Sequence, residues 1–536
     1  MLAAHALGGR WLSLQTLALV FFLGGLPWTL LNVWNAIIGF GILRFARDPV
    51  AFTNPALART PEAAPITART AICLVIRHEA VAPVFGRLAT LIENLEATNE
   101  AAIFTVHILS DSNNPEVVAA EQAAVLALQQ RLSRDDFLHY RRRAINTGFK
   151  AGNLHDFAAH DGRNYDFMLV LDADSVMSAT AILRLVRVMQ ANPQLGILQT
   201  LVAGRPSDNA FTRVFQFGMR NGMRTHATGL AWWQGPSGPY WGHNAIIRIA
   251  PFAAHCALPA IPGNGPFAGA ILSHDQVEAA LMRKAGFEVR LIVDASGSWE
   301  ENPPDLLNFM KRDLRWCQGN LQYLKLLGRL RLMPMGVFQL VNAIMMYLGS
   351  IFWICLLLTG LAIAVKTPHD NAALASVRTC FTLYLVMFGF WFTPRLLGML
   401  DVMLDAKQRK RYGGAGRLLL GAVADAIFTV LLGTLMAVAQ TIFICGLLAG
   451  RRITWDSQQR EGNGVHALDA ARHLWPETLF GGGMALVLGF FAPGALPVAS
   501  PTLLSCLLAI PFTTVTASYW LGGVMRRWGI CAGPEE

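Results

Sequence analysis

The sequence predicts an α/β domain, a mostly parallel sheet with helices on both faces, inserted between α-helical membrane segments. Three observations carry this expectation. Hydrophobic residues make up 53% of the 536 positions and charged residues only 15%, and the mean hydropathy is +0.39, well off the balance of an ordinary soluble domain. Charge-free runs crowd the N-terminus and the C-terminal third, whereas about 45–335 carries charges throughout. Within that middle stretch strands alternate with helices, and two strands end on acids.

The N-terminal segment, 1–45, has no charge between Arg10 and Arg44, more than the roughly 20 apolar residues one span needs. Gly24, Gly25 and Pro27 either kink one long helix or turn a short hairpin there. It is not a cleavable signal, because its apolar core is too long and no small-residue cleavage site follows.

The middle domain, 46–300, opens with TAICLVI (70–76) and FTVHILS (104–110), which read as strands. PEVVAAEQAAVLALQQRL (115–132) reads as a helix opened by Pro and Glu. FLHYRRR (137–143) is a strand, KAGNLHDFAAH (150–160) starts a helix, and YDFMLVLDADS (165–175) is the most buried strand. TAILRLVRVMQAN (180–192) and LGILQTL (195–201) complete a helix and a strand. Such alternation implies a mostly parallel sheet that binds ligands outside the strands' carboxyl ends.

Interfacial helices are expected over 301–335 and a multi-span domain over 336–525, with hydrophobic runs at about 337–365, 379–400, 417–449, 479–499 and 501–523. KQRKRYGGAGR (407–417), the loop from Arg451 and Arg452, and the tail 526–536 with Arg526 and Arg527 are all basic, which places all three in the cytoplasm. On that reading 417–449 goes out and back, or lies in the interface without crossing. Asp425 within it must face protein or water, as a conduit lining or as a helix-packing acid.

Composition also excludes. The net charge of +9 comes from Lys and Arg beside hydrophobic runs, without the aromatic-interleaved basic module of a nucleic-acid binder. Eight cysteines, at 73, 256, 317, 355, 380, 445, 506 and 531, form no CxxC pair and no Cys/His zinc spacing.

The acids suggest chemistry. LSDS (109–112) and LDADS (171–175) both end strands at the ligand-binding edge. Asp172 and Asp174 suit an ordinary turn, and equally a Mg²⁺ or Mn²⁺ ion holding the diphosphate of a nucleotide-sugar donor. Inverting transfer needs a base to deprotonate the attacking hydroxyl, and FAGAILSHDQVEAALMRKAG (267–286) offers Asp275. Ser273 and Gln276 match a capping box, which puts Asp275 in a first helical turn where the dipole favours its ionised form. The plain alternative is an acid that only complements that dipole. In KRDLRWCQGN (311–320), Arg315 suits a diphosphate and Trp316 a sugar face. The plain alternative is an interfacial helix with a snorkelling Arg and a belt Trp.

Read in order, LSDS, KAGN, DAD, SHD and RW resemble the motif series of processive family-2 glycosyltransferases, which carry a GT-A catalytic domain between membrane helices. ILSDSNNPE, YRRRAIN, VLDADSVMS, YWGHNAIIR, HCALP, ILSHDQVEAALMRKAG, GSWEENPPDLL and KRDLRWCQGNL resemble the glucosyltransferase H family of osmoregulated periplasmic glucan synthesis, over roughly 65–525. The resemblance implies an inverting enzyme of the bacterial inner membrane, with a cytoplasmic catalytic domain, transferring glucose from UDP-glucose to a growing β-1,2-glucan and passing it outward. It implies that Asp111 contacts the uracil or ribose, with Lys150 and Asn153 nearby. Asp172 then supports the nucleotide sugar and Asp174 ligates the metal. Asp275 is the base, Arg315 contacts the diphosphate, Trp316 is the acceptor platform, and His243 and Asn244 line the acceptor side. The lipid bilayer, an acyl carrier protein and a periplasmic glucan-biosynthesis protein are implied as partners; nucleic acid is not.

The sequence departs from the pattern in places. The opening motif is Val75-Ile76-Arg77-His78-Glu79, keeping only the nucleotide-side Glu79, and Arg312 stands where the wider family's QxxRW has Gln. Beside the longer relatives that it resembles, the sequence is expected to lack the long N-terminal extension and the first span, and if that span is missing Met1 is expected on the periplasmic side. Two other readings stay open, a synthase of another β-linked polysaccharide and a glycosyltransferase-like scaffold that binds without catalysis.

Overall fold

The computed structural model describes residues 13–61, 63–132, 137–294, 297–366, 371–451 and 464–536, the side chains of 371–380 aside. Met1, Arg10 and Arg452 lie outside the described residues, as does the Cys380 side chain.

Seven strands form the main sheet: β1 (Thr70–Ile76), β2 (Phe104–Ser110), β3 (Leu138–Arg142), β4 (Phe167–Asp172), β6 (Leu195–Thr200), β8 (Ala245–Arg248) and β9 (Glu288–Ile292). Their order is β3-β2-β1-β4-β8-β6-β9. All neighbours are parallel except β8, which runs antiparallel to both β4 and β6. A small second sheet, β5 (Val176–Met177), β10 (Ser298–Glu300) and β7 (Ala203–Gly204), abuts the end of β4.

The principal helices are α1 (Leu14–Phe45), α2 (Val81–Glu96), α3 (Pro115–Gln129), α4 (Phe149–Ala159), α5 (Ala179–Ala191), α6 (Ala210–Gln234), α7 (Asp275–Lys284), α8 (Leu306–Leu321), α9 (Pro334–Lys366), α10 (Asn371–Leu404), α11 (Ala415–Leu448) and α12 (Ala467–Phe491). Strand alternation divides the core. Ile72, Leu74 and Ile76 of β1 point to a face covered by α2, α3 and α5 through Leu88, Val125 and Ile182. Ala71 and Cys73 point to the opposite face, covered by α4 and α7 and reaching Tyr347 of α9. Short polar residues open several helices, since the first N–H groups need an acceptor. Asn114 caps α3, Ser178 caps α5, Asn209 caps α6 and Asp305 caps α8.

Among the described residues five helices are long and apolar enough to cross a membrane: α1, α9, the 381–404 part of α10, α11 and α12. Two shorter helical segments among the described residues, Pro493–Leu507 and Ala509–Thr516, form a further pair bent by 56°. Pro27 lies inside the unbroken α1, so the N-terminal run is one helix and not a hairpin.

The same holds for α11, so of the two readings of 417–449 the out-and-back turn is the one this unbroken helix excludes. Its 34 residues separate the basic 407–417 segment from Arg451, by roughly 50 Å at 1.5 Å per residue. Asp425 is buried, pairs with Arg395 at 3.0 Å and packs against Gly218 of α6. The helix-packing role is the one the structure fits.

Helix α6 belongs by sequence to the middle domain, yet it lies along α1, α10 and α11. A Cβ at Gly39 of α1 would overlap the Thr225 carbonyl, and one at Gly229 of α6 would overlap that of Asn35. Glycine at both positions lets the backbones touch, the small-residue packing usual between membrane helices. Asn35 also accepts from Trp233 at 2.7 Å and meets His226 at 3.1 Å. The C-terminal residues close over α6, with Glu536 bridging Arg213 and Glu535 bridging Arg220.

Candidate active site

The carboxyl ends of β2 and β4 build the donor edge. Strand β4 ends at Asp172, and the chain turns at once: Ser175 N–H donates to the Asp172 carbonyl at 3.0 Å, and Ser175 Oγ accepts from the Asp172 N–H at 2.9 Å. Arg87 clamps the turn, donating to the Ala173 carbonyl at 2.7 and 3.2 Å and to Glu301 at 2.9 Å. The turn is therefore real, and it fixes the backbone that carries Asp172 and Asp174. Lys150, in the first turn of α4, forms an ion pair with Asp172.

The LSDS segment is organised from behind. Glu121 of α3, 1% exposed, accepts from Ser110 at 2.7 Å, Ser112 at 2.6 Å and Tyr140 at 2.8 Å. Arg143 holds Asp111 by two bonds of 2.8 Å. Asn153 is fully buried and its Oδ1 accepts from Arg141 at 2.6 Å. Asp111 and Asn153 thus support the edge from below, while Lys150, Asp172 and Asp174 stand at its end. Glu79 lies elsewhere on the rim. It lines a cavity of about 1380 Å³ between the domain and the apolar helices, together with Arg87, Arg205, Glu301 and Lys311.

The acceptor edge is assembled from distant segments. Gly242 adopts φ +84°, a conformation glycine takes freely. A Cβ there would lie 3.5 Å from Asp275 Cβ and 3.8 Å from both His274 Cε1 and Lys150 Nζ. One glycine thus marks where the candidate base, its neighbouring histidine and the lysine on Asp172 converge.

The capping box is not formed. Helix α7 starts at Asp275 with His274 as cap residue and no side-chain cap bond. The reason is tertiary: Tyr323 donates to the Ser273 carbonyl at 2.8 Å, Gln322 bonds Leu272 N and Ala270 O, and Gly319 packs on Ser273. Asp275 still sits in the first helical turn. Burial pushes its carboxyl above the usual aspartate value, Glu278 adds to this, and His274 and Lys150 oppose it. His274 bonds Glu278 at 2.8 Å with both buried. Burial works against the His274 imidazolium, but the Glu278 and Asp275 carboxylates outweigh it and hold the ring above its usual value.

Asn244 departs from the expected acceptor lining. It is fully buried at φ +50°, and its amide donates to Ser298 Oγ at 2.9 Å and the Trp299 carbonyl at 3.2 Å. It anchors the loop that carries His243. His243 faces Glu300 at 3.4 Å, a residue the sequence reading did not single out. Burial pushes the Glu300 carboxyl up, His243 and Arg312 pull it down, and Asp174 and Asp172 push it further up. Trp316 is 48% exposed, with the Arg312 guanidinium 4.8 Å from its ring centroid; Arg315 is its partly buried neighbour on α8.

Among the described residues no group of three or more His, Cys, Asp or Glu side chains is arranged to hold a metal by itself. Asp172 and Asp174 nevertheless fit a hard divalent cation that takes its remaining ligands from phosphate and water. The negative charge of these acids beside Glu300 is the donor chemistry such an ion needs.

Residues 167–520 match the family described as Glycosyl transferase family group 2. The chain is 35% identical to Glucans biosynthesis glucosyltransferase H of Vibrio cholerae over 537 residues, covering 97% of this chain and 72% of that protein. The chain belongs to the glucans biosynthesis glucosyltransferase H family. The family member of Pseudomonas aeruginosa is 36% identical, with 95% of this chain and 60% of that protein covered. For the glucosyltransferase H of Ralstonia nicotianae the figures are 36%, 99% and 62%. Among solved structures, the chain is similar to a mannosyltransferase of Pyrobaculum calidifontis in complex with GDP-Man and Mn²⁺, at 15% identity and a TM-score of 0.45, covering 73% of this chain and 97% of that one. As a glucosyltransferase H member, this chain carries a GT-A-type domain flanked by apolar helices.

Proposed function

We propose that the protein is an inverting glucosyltransferase that uses UDP-glucose to extend a β-1,2-linked glucan. The observation that carries this reading is the convergence of Asp275 with Lys150 and its partner Asp172 around Gly242. That arrangement suits a base beside a donor diphosphate.

Asp275 takes the proton of the acceptor hydroxyl. The freed oxygen attacks C1 of glucose from the side opposite the leaving group, and the bond from C1 to the β-phosphate oxygen breaks, releasing UDP. The raised affinity of Asp275 for protons suits a base that must hold the proton through the step. Asp172 and Asp174 would hold Mg²⁺ or Mn²⁺, which supplies charge stabilisation for the departing diphosphate. Lys150, paired with Asp172, adds positive charge beside the diphosphate, and family resemblance assigns Arg315 to the diphosphate and Glu79 and Asp111 to the nucleoside. Trp316, with Arg312 on its ring, presents an aromatic face to the acceptor end. His243, held by Glu300, lies at the same edge.

The catalytic domain, 46–300, faces the cytoplasm of the bacterial inner membrane, and the apolar helices conduct the glucan outward. An acyl carrier protein and a periplasmic glucan-biosynthesis protein are its partners by family resemblance.

The test is incorporation of labelled glucose from UDP-glucose by purified protein in vesicles, with and without Mg²⁺ or Mn²⁺, followed by linkage analysis. Metal-dependent β-1,2-glucan supports the reading. Another β-linkage replaces the product assignment, and tight UDP-glucose binding without transfer favours a non-catalytic scaffold.

A further inference from the structure

We propose that Asp313 is a positioning residue that locks the acceptor helix α8 to the apolar helices α9 and α11, and that this lock sets how long a glucan the enzyme makes. The proposal rests on the polymerising function above.

Gln440 is half-buried among apolar neighbours in α11, where a primary amide is costly unless both its ends are bonded. Its Nε2 donates to Asp313 Oδ2 at 2.6 Å, and its Oε1 accepts from Ser350 of α9. Tyr347 of α9, 1% exposed, donates to Asp313 Oδ1 and to its carbonyl at 3.4 Å. One carboxylate of α8 therefore gathers hydrogen bonds from two apolar helices. Burial pushes Asp313 up to about 6, with the Gln440 and Tyr347 bonds and Arg312 opposing.

Asp313 stands three residues before Trp316 on α8. It faces α9 and α11, whereas the Trp316 ring is half exposed and carries Arg312. A rotation or slide of α8 that moved the Trp316 platform would pull Asp313 off Gln440 and Tyr347. During polymerisation the chain end must shift by one sugar after each addition. A fixed platform makes the chain do the moving and keeps it engaged; a loose platform travels with the chain end and lets it go. The bond pattern also permits a swap. In D313N/Q440E, the amide nitrogen introduced on α8 can donate to the carboxylate introduced on α11, while the amide oxygen still accepts from Tyr347. The new carboxylate also still accepts from Ser350.

The experiment compares wild type, D313N, Q440E and D313N/Q440E, each as full chain in vesicles, measuring UDP release and glucan length separately. The expected result is glucan at least about threefold shorter in each single variant, UDP release within about twofold of wild type, and length restored in the double variant. Unchanged length in D313N overturns the lock, as does a double variant no longer in product than either single one. UDP release falling in step with length also overturns it, since that marks general damage to the fold or the chemistry. A wild type that releases UDP but makes no polymer overturns the polymerising function, and the lock with it.

Discussion

The donor edge and the acceptor edge of the catalytic domain are built by different means. The donor edge rests on consecutive parallel strands, β1, β2 and β4, whose register carries Asp111, Asp172 and Asp174 to one end. The acceptor edge is gathered from three remote stretches. The 240–244 loop is pinned by Asn244, the segment before Asp275 is held by Gln322 and Tyr323, and α8 reaches across to α9 and α11. Backbone ladders carry the donor acids to one end, with Glu121 and Arg87 holding the loops they sit on, whereas the acceptor edge is held chiefly by side-chain networks. Buried networks fail when one member is lost, because the remaining polar groups have no water to turn to. Point changes should therefore spread further on the acceptor edge.

The sharpest test of this contrast is Asp275→Asn. Transfer should fall by about 10²–10⁴-fold, the range for a general base, while UDP-glucose binding measured calorimetrically stays near wild type. Near-normal transfer would remove Asp275 from the role. On the other edge, Asp174→Ala should abolish the metal-dependent part of UDP-glucose binding with little change in thermal stability. Donor binding that still responds to Mg²⁺ or Mn²⁺ in that variant would move the ion elsewhere.

Asn244→Ala separates the edges by stability. Removing a fully buried amide that bonds Ser298 and Trp299 should lower unfolding stability by about 1–3 kcal/mol and raise the KM for acceptor more than that for donor. Equal effects on both would dissolve the distinction. The smallest expected effect is in pH. Because burial raises the Asp275 pKa and only its ionised form can take a proton, activity should fail on acidification at a higher pH than an ordinary aspartate would give. A kcat/KM profile flat down to the ordinary aspartate range would contradict this.

The donor edge was the legible one. The strands read at 70–76 and 104–110 match β1 and β2 residue for residue, and those read at 165–175 and 195–201 contain β4 and β6. Apolar runs ending in acids report strand and edge together, so local pattern was enough. Strand β8 was not found: four residues, AIIR, carry too little pattern. Ser273 fits a capping box by spacing, but the neighbouring backbone is claimed by Tyr323 and Gln322, some fifty residues away in sequence. Glu121 stands as a lone acid among the apolar residues in the middle of its helix, and Glu300 beside Glu301 ends no apolar strand that the pattern reveals; each gains its meaning only from the partners the fold brings to it.

Composition and periodicity by themselves determined that this chain joins an α/β domain to span-length apolar helices, and its motif order determined the family. Those properties follow from side-chain hydrophobicity and repeat, which are local. Only the tertiary structure decided that 417–449 is one helix, that α6 leaves the catalytic domain to lie against α1, and that Asp313 meets Gln440 and Tyr347. Such outcomes depend on close backbone approach at glycines and on polar groups finding partners far along the chain, and neither is written in any short stretch of sequence.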